Sequence, residues 1–326
     1  MNIPRSLSAG FAFAAALAIT IGAANVQAQQ AGRQGRIVVP AGPGASSDIV
    51  GRLVASRMGE ALGMPYVVDN RPGGGTTIGT ELVAKAAPDG ATLLLSQPST
   101  VISSLIFPNL KYDTSQFAAV TVLTRSPLLL AANLDFPPKT FAEFIQYAKA
   151  NPGKVNFGSL GVSTSHHVTG EMLKLEADVD MVHVPYKGGA SAAHADLMGG
   201  RIQIMFDNMP ALLPHVRSGR LRPLATSGLK RSAALPQVPT IAESGYPGFE
   251  STSWFGIFST PGTPKDVVAR LNRELVKILA TREINEQLVQ SGAEVVGNSQ
   301  DEADSFFKNE LARWSKVARA VKLGVD

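Results

Sequence analysis

Apolar and polar residues alternate with two different periods along the first third of the chain. An apolar run ends at Pro40, and apolar residues then recur with the one-faced spacing of a helix from Ile49 to Leu62, where Gly63 stops the pattern. Further on, "PYVVD" and "ATLLLS" have the composition of buried strands, and the segment 77–87 between them has helical spacing. This order of strand, helix, strand, helix and strand predicts a parallel sheet with helices on both faces.

A second series with the same alternation begins near Pro127. The predicted elements, in order, are the strand "LLLAANL", a helix capped by Thr140 and Glu143 that ends at 151–153, the strand "VNFGS", a helix over 164–176, the strand "MVHVPY", a helix over 190–198, the strand "IQIMFD", a helix over 212–217 and the strand "LRPLATS". These elements make a second α/β unit.

From about Pro239 the pattern becomes mostly helical, with one apolar strand at 254–259. Helices are predicted over 264–280, from Thr281, and from the Ser299 and Glu302 capping pattern toward Lys322. A helical tail with one strand has little to pack against on its own, so we expect it to lie on the first unit. The fold class is therefore α/β with two lobes, one formed by 36–126 plus 227–326 and the other by 127–226, and the chain crosses between them near 126 and 226.

The amino terminus has the pattern of a secretory signal. Within residues 1–28 the one charged side chain is Arg5, an apolar stretch follows from 9 to 24, and Val26-Gln27-Ala28 fits a signal peptidase site. A membrane anchor is the alternative, but the stretch is shorter than the roughly 20 residues of a span and is diluted with Ala and Gly. We therefore expect cleavage after Ala28 and a periplasmic location.

Charge and cysteine content exclude several classes of function. The formal net charge is +4 at pH 7, and no long basic run suggests nucleic acid or an anionic membrane as a partner. The chain has no cysteine, which excludes a disulfide framework, a thiolate metal site and a cysteine nucleophile.

Small residues occupy three loops that each join a predicted strand to a predicted helix. They are "PAGPGASSD" at 40–48, "FGSLGVSTSH" at 157–166 and "PYKGGASA" at 185–192. Such loops let a ligand approach the backbone, and the helix starts behind them offer free N–H groups and partial positive charge, which favour an anion. A tight turn is the alternative for any one loop. Since strand-to-helix loops lie along the carboxyl edge of a parallel sheet, three of them in two lobes predict a clamp on a small carboxylate.

Catalytic and metal motifs do not account for these loops. The chain has no G-x-S-x-G elbow, P-loop, HExxH pair or dinucleotide fingerprint. His166 and His167 are adjacent, so on a helix they point about 100° apart and are poor partners for one metal ion. We predict no metal and no cofactor.

The remaining polar candidates have more than one interpretation. His166 lines the cleft, lies on the surface or caps a helix. Lys187 pairs with a ligand carboxylate, or it is a solvated or structural lysine. Asp207 accepts a ligand hydroxyl or ammonium, or caps the next helix. Trp254 belongs to the core or the hinge, with cleft lining as the minor alternative. His183 is interpreted as a core residue, and His194 and His215 as helix-surface residues.

Seven ordered motifs resemble those of the extracytoplasmic solute receptors of tripartite tricarboxylate transporters, the Bug family. They are "VP" through the first loop to Asp48-Ile49-Val50 and Arg52, "NRPGGG" with Ile78-Gly79, "AAPDGATLL", "PGKVNFGSLGVSTSHH", "VPYKGGASAAHADLMGGRIQIMFDN", "LPQVPTIAESG" and "PGTP". The resemblance covers the chain from about Arg36 to its end. It implies a type II periplasmic-binding-protein fold with a hinge and an interlobe cleft.

The resemblance also implies that backbone N–H groups and ordered water from 41–47 and 159–165 hold the carboxylate, without an arginine clamp. The residues expected to bind the ligand are Ala41, Gly44, Ala45, Ser46, Ser47, Gln97, Ser159, Gly161, Ser163, Thr164, His166, Lys187, Gly188 and Asp207. The chain departs from the family pattern at Ala41, where an aromatic residue is common, at Ala45, where Gly is common, and at Thr76 and Thr77. Loss of the ring at Ala41 would leave room for a bulkier acid.

Three functional hypotheses follow. The leading one is a monomeric receptor that closes on a small carboxylate and passes it to membrane permease subunits. The second is a periplasmic hydrolase that uses Ser159 or Ser163 with His166. The third is a sensory receptor that presents its liganded form to a sensor kinase. The sequence does not rank the carboxylates that the site could bind.

Overall fold

The computed structural model describes residues 34–107, 109–186 and 189–320, and the predicted signal segment lies outside the described residues. The strands are β1 Gly35–Val39, β2 Tyr66–Asn70, β3 Thr92–Ser96, β4 Ala118–Ala132, β5 Val155–Ser159, β6 Met181–Pro185, β7 Ile204–Asn208, β8 Arg222–Thr226, β9 Thr252–Ser259 and β10 Glu294–Val295. The helices are α1 Ser46–Leu62, α2 Thr77–Ala84, α3 Pro98–Ile106, α4 Phe141–Ala150, α5 Ser165–Ala177, α6 Ala190–Met198, α7 Met209–Arg217, α8 Lys265–Ala280, α9 Arg282–Gln290 and α10 Gln300–Ala320. In this part of the chain, none of the helices combines the length and apolarity needed to cross a membrane.

The sheet has two halves that share the long strand β4. The strand order is β2-β1-β3-β9-β4 in the first half and β4-β7-β5-β6 in the second, with β8 and β10 also paired to β4. Strands β1 to β3 are parallel to one another, as are β5 to β7, which confirms the parallel pairing expected from the strand and helix alternation. Strand β9 runs antiparallel to β3 and β4, so the first half is mixed.

The chain passes between the lobes inside β4. Ala118 to Pro127 pair with β9, whereas Leu128 to Ala132 pair with β7 and β8. The pairing partner of β4 changes between Pro127 and Leu128, and the lobe crossing near 126 stays a prediction. Two hydrogen bonds of 2.9 Å join Leu128 to Ser227 at this point, one from each backbone N–H. Strand β4 therefore belongs to both halves of the sheet, which is consistent with a hinge at this position.

The position of the return crossing stays a prediction near residue 226. Ile241 and Phe249 pack in one core cluster with Phe157 and Phe206, which belong to the second lobe. The next strand of the first lobe is β9, which begins at Thr252. This packing favours a boundary near 251, about two dozen residues later than the sequence pattern indicated.

In the first half of the sheet, alternate strand residues fill two cores, one on each face. In β1, Ile37 and Val39 pack toward α1, α8 and α9, whereas Val38 packs toward α3 and α10. All three side chains are fully buried. Burial of each such side chain contributes about 1.5–3 kcal/mol, so the continuous apolar run that predicted a buried strand also fixes both helix layers.

Local capping signals identified the starts of α4 and α10 correctly. Thr140 Oγ1 accepts the Glu143 N–H at 3.2 Å, and Ser299 and Glu302 bond reciprocally at the start of α10. Helix α3 was not predicted, and α7 begins at Met209, earlier than expected, because Pro210 fits the first turn of a helix. These two helices matter because both begin at the cavity described below.

Trp254 belongs to the core, as its first interpretation had it. It is 1% exposed and packs with Phe258 and Phe307. Its Nε1 donates to Glu310 Oε2 at 2.6 Å, and Trp314 Nε1 donates to the same oxygen at 2.8 Å. The buried carboxylate of Glu310 thereby links β9 to α10.

Candidate functional site

A cavity of about 620 Å³ lies between the lobes. This volume is within the usual range of small-molecule sites. Of the helices in the described ranges, six begin at its wall, namely α1, α2, α3, α5, α6 and α7. Their N-cap residues Ala45, Thr76, Gln97, Thr164, Gly189 and Asn208 all line it. Of these, Thr164 alone caps its helix through its side chain.

Helix starts of this kind give the cavity an electropositive wall without cationic side chains. Each helix start carries about half a positive charge and N–H groups that have no intrahelical partner. Among the described lining residues there is neither lysine nor arginine, and Lys187 and Gly188 lie outside the described residues. The wall therefore suits an anion held by backbone N–H groups.

The first loop is held in place by Asp48 of α1. Its carboxylate accepts the Gly44 N–H and the Asn70 side-chain amide, both at 3.0 Å, and contacts Arg52 at 2.9 Å. Burial raises the pKa of Asp48, but these hydrogen bonds outweigh it and the pKa is lowered. The Gly44 N–H is consumed in this network and Gly44 does not line the cavity, whereas Ala41 does.

The second loop is held by a pair of stacked histidines. Ser159 Oγ lies 2.6 Å from His183 Nε2 and accepts the Gly161 N–H at 3.1 Å. The His183 ring stacks on His167 at 3.9 Å. Burial, followed by the neighbouring His167, lowers the pKa of His183 to about 3. Ser159 is absent from the cavity wall, so its contribution is to position the loop that carries Gly161.

The loops of the two lobes touch at Gly75. Its carbonyl oxygen accepts hydrogen bonds from Ser103 of the first lobe and, at 3.4 Å, from Ser163 of the second. Gly75 has φ +61°, and a Cβ added there would collide with Ser163 Oγ. The absence of a side chain at this position is what allows the lobes to approach this closely.

Four buried polar atoms of the cavity wall have no hydrogen-bond partner in the described structure. They are Ser46 Oγ, Thr76 Oγ1, His166 Nδ1 and Asn208 Oδ1. An unpaired buried polar group costs about 1–3 kcal/mol, so these four atoms can supply hydrogen bonds to a polar ligand or to water. Thr76 also has φ +87°, a conformation unfavourable for a residue with a branched side chain.

Asp207 lies at the end of β7 and is shared by two histidines. Its Oδ1 is 2.8 Å from His166 Nε2, and its Oδ2 is 2.7 Å from His194 Nε2. Burial opposes ionisation, but the two histidines hold the pKa of Asp207 below its usual range. Oδ1 also accepts the Asn208 N–H at 2.7 Å. Asn208 is the N-cap of α7, so Asp207 does not cap that helix, and its role as a direct ligand stays a prediction.

The structure corrects the position of His194. It is 6% exposed and faces Asp207, whereas the helical pattern had placed it on the surface. The cluster of His166, His194 and Asp207 joins α5, α6 and β7 behind the cavity wall. No group in the described chain is arranged to hold a metal ion, and here each imidazole points at the carboxylate itself.

Most of the residues expected at the site come together. The expected residues that line the cavity are Ala41, Ala45, Ser46, Ser47, Gln97, Gly161, Ser163, Thr164, His166 and Asp207. Sequence reasoning missed Thr76, Phe107, Tyr186 and Asn208. Phe107 and Tyr186 supply aromatic walls although Ala41 has no ring. The departure of Thr76 from the family pattern was a usable signal, whereas no local signal marked Phe107.

Comparison with known proteins identifies the family. The model of the tripartite tricarboxylate transporter family receptor, TctC, matches residues 50–323. The structure of R. palustris Rpa4515 with adipate is 34% identical, with a TM-score of 0.86, over 90% of this chain and 98% of that one. The periplasmic binding protein BugD is 33% identical, with a TM-score of 0.85, over 90% and 99%.

MatC from Rhodopseudomonas palustris with bound malate is 31% identical, with a TM-score of 0.82, over 88% of this chain and 99% of that chain. These likenesses confirm the α/β periplasmic-binding-protein fold predicted from the sequence. Since the family model spans most of the chain, the protein belongs to the TctC/Bug family of tripartite tricarboxylate transporter receptors.

Proposed function

We propose that the protein is a periplasmic receptor that closes its two lobes on a small dicarboxylate and delivers it to the permease subunits of a tripartite transporter. Membership of the family makes it a carboxylate-binding solute receptor and not an enzyme. The hydrolase hypothesis is therefore wrong. The structure also does not pair either serine with His166. Ser159 contacts His183, Ser163 donates to the Gly75 carbonyl, and His166 Nε2 contacts Asp207.

The single observation that supports the proposal most is the convergence of six helix starts on one cavity whose described lining has no lysine or arginine. Two relatives with the same fold are described with adipate and with malate, both of which are dicarboxylates. Helix starts from both lobes line the cavity, which suits a ligand that carries a carboxylate at each end.

The proposed contacts come from both lobes. We assign the direct contacts to Ala45, Ser46, Ser47 and Thr76 on the first lobe, and to Gly161, Thr164, His166 and Asn208 on the second. In this proposal Gly44 and Ser159 act indirectly, by fixing the loops. Because the closed form alone brings both sets onto the ligand, binding shifts the population toward closure.

Thermal unfolding of the mature protein, refolded to remove any carried ligand, tests the proposal against a panel of carboxylates. A dicarboxylate at 100 times its Kd should add about 2.7 kcal/mol, which raises the midpoint by about 5 °C or more. The matching monoacids and diamides should give much smaller shifts. If no dicarboxylate moves the midpoint, or if the diamides act equally, the proposal fails.

A matched pair of serines on α1 tests the placement of the ligand. Ser46→Ala removes a buried hydroxyl that has no partner in the described structure, so it should weaken binding about fivefold to tenfold without loss of stability. Ser56→Ala is the control, since Ser56 is exposed on the same helix and bonds to Leu53 O at 2.7 Å. If calorimetry gives equal affinities for the two variants, Ser46 does not contact the ligand.

Uptake into vesicles that carry the permease subunits separates the transport role from the sensory alternative. Loaded receptor should stimulate dicarboxylate uptake, and a Ser46→Ala receptor should do so at higher ligand concentration. Absence of stimulation, with ligand binding intact, would favour a sensor partner.

A further inference from the structure

Asp207, His166 and His194 form one cluster of ionisable groups at the cavity wall. Asp207 is 1% exposed and accepts hydrogen bonds from His166 Nε2, His194 Nε2 and the Asn208 N–H at 2.7–2.8 Å. A carboxylate with three donors around it is ionised, and an ionised carboxylate only accepts hydrogen bonds. Both Nε2 atoms therefore carry a hydrogen.

The other nitrogen of His166 is the polar atom that the ring can offer to a ligand. His166 is 5% exposed and lines the cavity, and its Nδ1 is buried without a partner in the described structure. In a neutral ring this Nδ1 would only accept a hydrogen bond, whereas in an imidazolium it donates one. The protonation state thus decides whether His166 attracts or repels a carboxylate.

The Nε2–H of His166 points at the Asp207 carboxylate, and its unpartnered Nδ1 belongs to a residue of the cavity wall. With both rings neutral, the cluster leaves a net negative charge beside a cavity built for anions. The groups that face it are Asp207 and Asn208 from β7, His194 from α6 and, behind His194 at a ring distance of 5.6 Å, His215 from α7. None of the described lining residues supplies lysine or arginine as an alternative positive charge.

We propose that ligand binding is coupled to the uptake of one proton by this cluster, with His166 donating its Nδ1–H to a carboxylate of the ligand. This inference rests on the proposed function and deepens it, because the bound species is then a dicarboxylate together with one proton. His166 is the binding residue, Asp207 is the positioning residue that stabilises its imidazolium, and the proton comes from solvent.

Calorimetry with adipate and malate as probes tests the coupling between pH 6.5 and 9, where both carboxyl groups of each probe are ionised. In buffers of different ionisation enthalpy, the wild type should take up about one proton per ligand bound. Where the free cluster is unprotonated, Kd should rise about tenfold per pH unit.

Three variants assign the proton. His166→Gln should weaken binding about tenfold or more at pH 6.5 and abolish proton uptake. His194→Gln is the matched control, because it removes the other partner of Asp207 and should retain uptake. Asp207→Asn should lower the pH at which affinity begins to fall, since the imidazolium loses its counter-charge.

The outcomes distinguish failure of the proton coupling from failure of the proposed receptor function. Binding with no proton uptake and a Kd independent of pH overturns the coupling and leaves the receptor function intact. Proton release on binding, or loss of uptake in His194→Gln but not in His166→Gln, also overturns it. If neither probe binds at any pH, both the dicarboxylate assignment and the coupling fail.

Discussion

Acidification from pH 7 to pH 5 should destabilise the folded protein through His183. Its Nε2 lies 2.6 Å from Ser159 Oγ, and its ring stacks on His167 at 3.9 Å. Burial and the nearby His167 lower the pKa of His183 to about 3, whereas in the unfolded chain the pKa is about 6.5. Between these values the unfolded chain binds a proton that the folded protein does not bind.

The sign and size of the effect follow from this difference. The contribution of His183 to the free energy of unfolding is fully present above pH 6.5. It falls as the pH decreases from 6.5 toward 3, because protons then bind to the unfolded state and favour it. At pH 5 the loss is at most about 2 kcal/mol, from about 1.36 kcal/mol for each unit below 6.5. Since the imidazole is partly accessible to water, screening reduces this to about 1 kcal/mol.

Urea unfolding at pH 7, 6 and 5 measures the effect in the wild type and in His183→Gln. The variant keeps a hydrogen-bonding group near Ser159 but cannot titrate, so it should lose about 1 kcal/mol less than the wild type between pH 7 and pH 5. All other titrating groups are shared by the two proteins. If both lose the same stability over this range, His183 is not the acid-sensitive group and its lowered pKa is refuted.

Three further substitutions test the loops. Thr76→Gly should stabilise the unliganded protein by about 1 kcal/mol by relieving its positive φ, but should weaken ligand binding, whereas Asp178→Gly, also at positive φ, should leave binding unchanged. Calorimetry and urea unfolding together distinguish the two. Gly75→Ala should weaken binding at least tenfold by holding the lobes apart, and small-angle scattering should show no compaction with ligand. Asp48→Asn should lower the free energy of unfolding at pH 7 and reduce the further loss of stability on acidification. The reason is that the lowered pKa of Asp48 stabilises the fold at pH values above the pKa of the carboxyl in the unfolded chain. A variant whose stability has the same pH profile as the wild type would contradict this.

The prediction of elements from sequence succeeded where the signals are local. The continuous apolar run of β1 fixed a strand buried on both faces, and Thr164 and Ser299 marked helix starts that the structure confirms. The small-residue loops after β1 and β5 identified two walls of the cavity, because small residues at a helix start expose N–H groups whatever the rest of the fold is. The seven motifs, in their order along the chain, predicted the family.

Tertiary structure alone decided which polar groups face the cavity. His166 and Asp207 are 41 residues apart, and the Ser163 hydroxyl meets a Gly75 carbonyl 88 residues away. The N–H of Gly44 and the hydroxyl of Ser159 were expected at the site, but each is taken by a nearby side chain, while His194 turned inward to Asp207. Periodicity and capping report the conformation of a segment, whereas the partner of a buried polar group depends on how distant segments pack, and that packing is not present in any local pattern.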